Sequence, residues 1–176
     1  MNDPHSSSAA IAPVAFHAEN PAPLLEAHYQ ALGEADGFDH AECNAALRVE
    51  VIGFGRCAGD WLGIVVTPWF VRLLLLPGGG QLWGEIPLGQ RRYLELPGGT
   101  LPFVADTIDQ LGQYQYSTLV APLSLVPDMA AARRIAADTL QAFVGTAPSP
   151  APGEPPEEPK APVSRRGFFR RLVGKQ

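Results

Sequence analysis

The residues of this 176-residue chain with the most distinctive chemistry stand near its C-terminus. Ser164-Arg165-Arg166-Gly167-Phe168-Phe169 sets two guanidinium groups beside two aromatic rings, and residues 164–176 carry five positive charges and no negative one. Guanidinium pairs in forked geometry with carboxylate or phosphate, while the rings favour apolar surroundings. The string looks like a twin-arginine export motif, which is read near the N-terminus of exported precursors. An export signal also needs an apolar stretch after its charges, and only a handful of residues follow Phe169. Three readings stay open: an imitation or decoy of a signal peptide, a basic-aromatic clamp for membrane or RNA, and a solvated tail without a role.

A second constellation lies in Gly59 to Gly78. Thr67-Pro68-Trp69-Phe70 interrupts a long apolar run with a proline and two large rings, as at a corner of the chain, and Asp60-Trp61 opens the run. These rings fit either a packed core or a partly exposed groove for an apolar peptide, since Trp and Arg dominate recognition surfaces. A groove that held arginines would need carboxylates. Asp60, Glu85, Glu95, Asp106 and Asp109 are the acids in or near this region, and Asp60 is the first choice because it adjoins Trp61. The expected partner-binding set is Asp60, Trp61, Pro68, Trp69, Phe70, Arg72 and Trp83, with Ser164, Arg165, Arg166, Phe168 and Phe169 as the tail motif.

Enzyme chemistry finds little support. The four histidines, His5, His17, His28 and His40, all lie in the first 40 residues, and there is no His-Glu-x-x-His, nucleophile elbow or phosphate loop. Gly78-Gly79-Gly80 lacks the Lys-Ser/Thr of a phosphate loop and reads as a turn. Cys43 and Cys57 are too few for a disulfide framework and too far apart for a paired zinc or iron-sulfur motif, which leaves only a transient nickel or iron contact. No cofactor or resident metal is expected. Net charge is -5 despite the basic tail, so the body is acidic and unsuited to a nucleic acid surface. Gly63 to Pro77, broken by Pro68 and Arg72, falls short of the roughly 20 residues that span a bilayer. With no N-terminal signal visible, the expected location is the cytoplasm.

The elements that must position these residues follow from periodicity. Asn20-Pro21 can start a helix, with Leu25, His28, Tyr29 and Leu32 on one face and Gly33 at its end. Asp128 can cap a second helix from Met129 to Val144, whose stripe is Ala132, Ile135, Ala136, Leu140 and Phe143, and Gly145 stops it. Between them, Leu47 to Val51 alternates like a half-buried strand. Ile64 to Thr67 and Val71 to Leu76 are apolar on both faces and belong in mid-sheet. Tyr93 to Leu96 pairs through Pro97-Gly98-Gly99 with Leu101 to Ala105, and Tyr114 to Val120 supplies a further strand. Strands between flanking helices, without βαβ alternation, predict a single α+β domain over 20–145 with a largely antiparallel sheet. Residues 1–19 read as disordered. Residues 146–163 hold seven prolines and read as a semi-rigid linker, at roughly 3 Å per residue, that carries the 164–176 tail some 40 to 50 Å out.

The run Gly59 to Gly78, the turn Leu96-Pro97-Gly98-Gly99, the segment Leu111-Gly112-Gln113-Tyr114-Gln115 and the Ala-rich helix from Asp128 together resemble the nickel-iron hydrogenase assembly chaperones of the HybE/HupJ type. The resemblance covers about residues 22–145 and excludes both tails. It implies a non-catalytic maturation factor that attends hydrogenase large or small subunit precursors, alongside other maturation proteins, until the complex is ready for twin-arginine export, including by contact with the small subunit's signal peptide. At Tyr116 to Pro122, related sequences tend to carry a Cys that this chain lacks, so no thiol or metal role is carried over. Beside that reading stands a membrane-surface or protein-docking module. In it Phe168, Phe169, Leu172 and Val173 insert transiently while Arg165, Arg166, Arg170, Arg171 and Lys175 meet anionic lipid.

Overall fold

The computed structural model describes residues 14–35 and 43–145. The order is α1 (Ala22–Glu34), β1 (Glu50–Cys57), β2 (Asp60–Val66), β3 (Val71–Leu76), β4 (Arg91–Leu96), β5 (Gly99–Ile108), β6 (Gly112–Thr118) and α2 (Met129–Val144). The strands form one antiparallel sheet in the order β1-β2-β3-β6-β5-β4. The predicted α+β architecture is therefore present. The 146–163 linker and the 164–176 tail lie outside the described residues, as do residues 1–13.

Side chains alternate across the sheet, and each face meets one helix. Leu62, Ile64 and Val66 of β2, Leu73 and Leu75 of β3, and Leu101 and Phe103 of β5 pack with Ala132, Ala136, Leu140 and Phe143 of α2. Trp61, Val65, Leu74, Leu76 and Tyr114 pack with Leu25 and Tyr29 of α1 on the other face. Being apolar on both sides explains why β2 is buried along its whole length. The sheet curls around α2. At one edge Gly53 lies under the Leu140 side chain, and at the other Gly98 lies against the backbone of Ala142. Gly53 sits at the irregularity of β1 between Ile52 and Gly55, with φ of 64°, where a side chain would meet both backbone strain and Leu140.

Local signals mostly hold. Asp128 accepts a 2.7 Å hydrogen bond from Ala131 N–H at the start of α2, and Gly145 closes the helix at φ 70°. Asn20 Oδ1 accepts from Ala22 N–H at 3.0 Å, but α1 begins at Ala22, so Pro21 rather than Asn20 occupies the cap position. Gly33 does not end α1, which runs to Glu34. A Cβ on Gly33 would lie 3.0 Å from the Trp69 ring, so this glycine serves packing. The stretch Leu47 to Val49 leads into β1 rather than belonging to it, and β1 instead continues through the bulge to a tight hairpin with β2. The chain before α1 has more structure than its composition suggests. His17 N–H donates to Pro77 O at 2.9 Å, and Arg56 donates to the carbonyls of His17 and Ala18.

Candidate functional site

The partner-binding set expected from sequence separates into three places. The first is the β2–β3 turn. Thr67 is buried, its N–H donates to Phe70 O at 2.9 Å, and its Oγ1 accepts from the N–H groups of Trp69 and Phe70 at 3.1 and 3.0 Å. A hydroxyl that satisfies two turn amides locks the corner. Pro68, Trp69 and Phe70 therefore project half-buried from a rigid support. Trp69 forms the wall shared by two clefts. One, of about 750 Å³, is lined by Cys43, Asn44, Pro122, Leu123 and Val126 among others, and the second, of about 690 Å³, includes Gln30, Gly33 and Val49. Asn44 fixes the floor of the first: its N–H donates to Pro68 O at 2.8 Å and its side-chain amide donates to Leu123 O and Val126 O at 3.2 and 2.7 Å.

Beyond the turn, Arg72 lies flat between two rings. Its guanidinium carbon is 4.1 Å from the centre of Phe70 and 4.0 Å from that of Tyr116, and its buried Nε has no hydrogen-bond partner among the described residues. Phe70 is held edge-on by Tyr29 at 5.3 Å. Tyr114, next in line on this face, donates to Asp106 at 3.0 Å. Burial pushes the Tyr29 and Tyr114 phenols up from their ordinary range, so both stay neutral and contribute as rings and hydroxyls.

The second place centres on Asp60, and it overturns the reason for choosing that residue. Asp60 is fully buried, and its carboxylate accepts four backbone N–H groups: Gly78 and Gly80 on one oxygen at 2.8 and 2.9 Å, Leu82 and Trp83 on the other at 2.8 Å each. Burial alone would raise its pKa; the four donors outweigh burial and hold the carboxyl below its usual range. No lone pair is left facing outward for an incoming guanidinium, and what Asp60 recognises is its own chain. The glycines make this possible. A Cβ on Gly78 would fall 2.5 Å from Gly59 O, and one on Gly80 would be 2.5 Å from Asp60 N. Arg92 extends the network by donating to Leu82 O and, at 2.6 Å, to Gln115 Oε1, while buried Gln115 donates to Gly84 O at 2.7 Å. Trp83 is half-buried in this loop against the α2-side core, and its indole N–H has no partner among the described residues.

The third place is Trp61, buried on the α1 side. Its indole N–H donates to His17 O at 2.8 Å, and the Arg56 guanidinium covers its ring at 4.2 Å. It anchors the segment before α1. Of the expected set, then, the structure brings together Pro68, Trp69, Phe70 and Arg72 at the surface and assigns Asp60, Trp61 and Trp83 to internal contacts. Sequence reasoning missed Tyr116, the second ring of the Arg72 stack. Its signal was the alternation of Tyr114 and Tyr116 in an antiparallel partner of β3. Among the other acids, Asp106 is engaged by Tyr114 and Thr107, whereas Glu85, Glu95 and Asp109 are exposed.

Among the described residues no group of three or more His, Cys, Asp and Glu could hold a metal ion, and no helix is long and apolar enough to cross a membrane.

Known proteins share both this sequence pattern and this fold. A family model described as NiFe-hydrogenase assembly, chaperone, HybE matches residues 20–171. The match runs past the 22–145 expected from sequence, through the proline-rich stretch and into the twin-arginine-like motif. The hydrogenase expression/formation protein HupT of Azotobacter chroococcum is 33% identical over 152 residues, covering 85% of this chain and 94% of its own length. The hydrogenase expression/formation protein HupJ of Bradyrhizobium diazoefficiens is 31% identical over 147 residues, covering 84% and 85%. The solution structure of HybE from Escherichia coli shares the fold with a TM-score of 0.60 at 24% identity, over 86% of this chain and 96% of that one. The chain belongs to the HybE family of NiFe-hydrogenase assembly chaperones.

Proposed function

We propose that this protein is a non-enzymatic, cytoplasmic chaperone that holds a NiFe-hydrogenase subunit precursor during maturation, in company with other maturation proteins, through the surface formed by Pro68, Trp69, Phe70 and Arg72. The family match, which spans the sheet and both helices, carries this reading. The local geometry supports it, because rigidly mounted Trp and Arg beside open clefts are what binding hot spots are made of. The finer reading is that the client is the small subunit and that its twin-arginine signal is part of what is held. The tail suits the same role, since the family match takes in Ser164, Arg165, Arg166, Phe168 and Phe169. A tail tethered to the body in this way competes at effective concentrations on the order of millimolar.

Affinity capture with the full chain from cells that make a NiFe-hydrogenase tests the reading. The expected result is recovery of a subunit, the small one with its signal uncleaved, and a loss of recovery with Trp69→Ala. Capture of no hydrogenase subunit overturns the proposal. Deleting residues 164–176 should raise the affinity of a small-subunit signal peptide if the tail competes for the same surface. If instead the deletion abolishes sedimentation with anionic vesicles, the tail is a membrane contact.

A further inference from the structure

α1 covers the outer face of the sheet only in part. Leu74 and Leu76 of β3, Tyr114 of β6 and Ile108 at the end of β5 belong to the cluster beneath it, but the outer row of β4 and Val104 of β5 lie outside that cluster. Tyr93 is 68% exposed, Arg91 is exposed, and Val104 and Tyr116 are half-buried. Register places Tyr116 beside Val104 and Val104 beside Arg91, so these three share one row across β6, β5 and β4. Arg91 is then two strand spacings, about 10 Å, from Tyr116, and Arg72 rests on the Tyr116 ring. A platform of rings and a valine thus lies between two guanidiniums on a chain of net charge -5.

The flat faces of the Arg72 guanidinium are occupied by Phe70 and Tyr116, leaving its N–H edge as the only side open to a ligand. Its Nε–H is buried without an acceptor, the guanidinium makes no hydrogen bond or ion pair among the described residues, and a ligand reaches it through the terminal N–H groups of that edge. A buried donor without an acceptor is costly, and the acceptor that an unmodified polypeptide offers to the fork of a guanidinium is a carboxylate. Stacking fixes the plane, so little side-chain freedom remains to be lost when the fork is filled.

We propose that the outer face of β3-β6-β5-β4 binds an extended segment of the client protein that carries an Asp or Glu side chain, whose carboxylate docks on the edge of the Arg72 guanidinium while its apolar neighbours lie on Tyr116, Val104 and Tyr93. Arg91 attracts the same acidic segment from the rim. This deepens the chaperone reading and rests on it for the identity of the partner, though not for the chemistry of the site.

The test uses the full chain and two acetylated, amidated octapeptides of alternating valine and threonine, one with a central aspartate and the other with asparagine in its place. By isothermal titration calorimetry the aspartate peptide should bind about tenfold more tightly than its twin, the value of one good charge-assisted fork. Arg72→Gln should reduce that preference to less than about twofold. Arg133→Gln, which removes the same charge from α2, should leave it intact. In the wild-type chain the side-chain Nε–H resonance of Arg72 should shift with the aspartate peptide only, a readout that does not depend on any variant folding. Equal affinity for the two peptides, no binding of either, or an unshifted Arg72 signal overturns the proposal. Equal affinity together with capture of hydrogenase subunits removes only the carboxylate chemistry. A clear aspartate preference without subunit capture leaves the site standing and removes the client.

Discussion

Replacing Asp60 by Asn tests the account of the 78–83 loop most directly. Asn keeps the shape and one accepting oxygen, which can serve two of the four amides. Its NH2 then faces the other two, so two buried donors point at a donor. At about 1–3 kcal/mol for each unsatisfied buried amide, the substitution should cost about 2–6 kcal/mol, a large share of the roughly 5–15 kcal/mol that holds a domain together. Urea denaturation at pH 7 measures the loss, and hydrogen exchange should show protection falling first at Gly78, Gly80, Leu82 and Trp83. The pH dependence supplies a second check. The folded pKa of Asp60 lies below the unfolded value near 3.8. Its contribution is therefore complete above the unfolded pKa and disappears as pH falls through the folded one. The gap between wild type and Asp60→Asn should be constant from pH 7 to about 5 and should narrow below about pH 4. A variant within about 1 kcal/mol of wild type at pH 7, or a gap that widens in acid, would show that the carboxylate does not organise the loop.

Three further outcomes follow from the same structure. Gly53→Ala should destabilise the domain by about 2–4 kcal/mol in chemical denaturation, since it adds left-handed backbone strain to a clash with Leu140. Asp128→Ala removes the acceptor of Ala131 N–H and should cost about 1 kcal/mol, visible as a lower midpoint with an unchanged slope. Trp61→Phe deletes the hydrogen bond to His17 O at a cost of about 1 kcal/mol. It should speed amide exchange at His17 while leaving α2 protection unchanged.

The elements were legible because their signals are local. The Asp128 cap, the Gly145 stop and the stripe between them lie within one short segment, and the doubly apolar Val71 to Leu76 fixes a mid-sheet strand by itself. The Thr67 to Phe70 corner was visible as a proline followed by two rings. What sequence could not give was the direction of a polar side chain whose partners lie far along the chain. Asp60 looked like an open carboxylate beside an aromatic, but its four donors lie 18 to 23 residues away on a loop whose shape depends on it. Arg92 and Gln115 are likewise 23 residues apart and meet only through sheet order. Gly33 was read as a stop because glycine usually is one; the bulk of Trp69, brought against α1 by the tertiary fold, was the stronger reason.

The curl of the sheet around α2 has an evolutionary consequence. The larger buried cluster lies on the α2 side and a smaller one under α1, while Arg91, Tyr93 and Val104 on the outer face of β4 and β5 belong to neither. Those positions are free to drift without a folding penalty, so relatives that serve different clients can diverge there while keeping one interior. Grafting Arg91, Tyr93 and Val104 from one relative onto another is thus a change of surface alone, and client choice should travel with the graft.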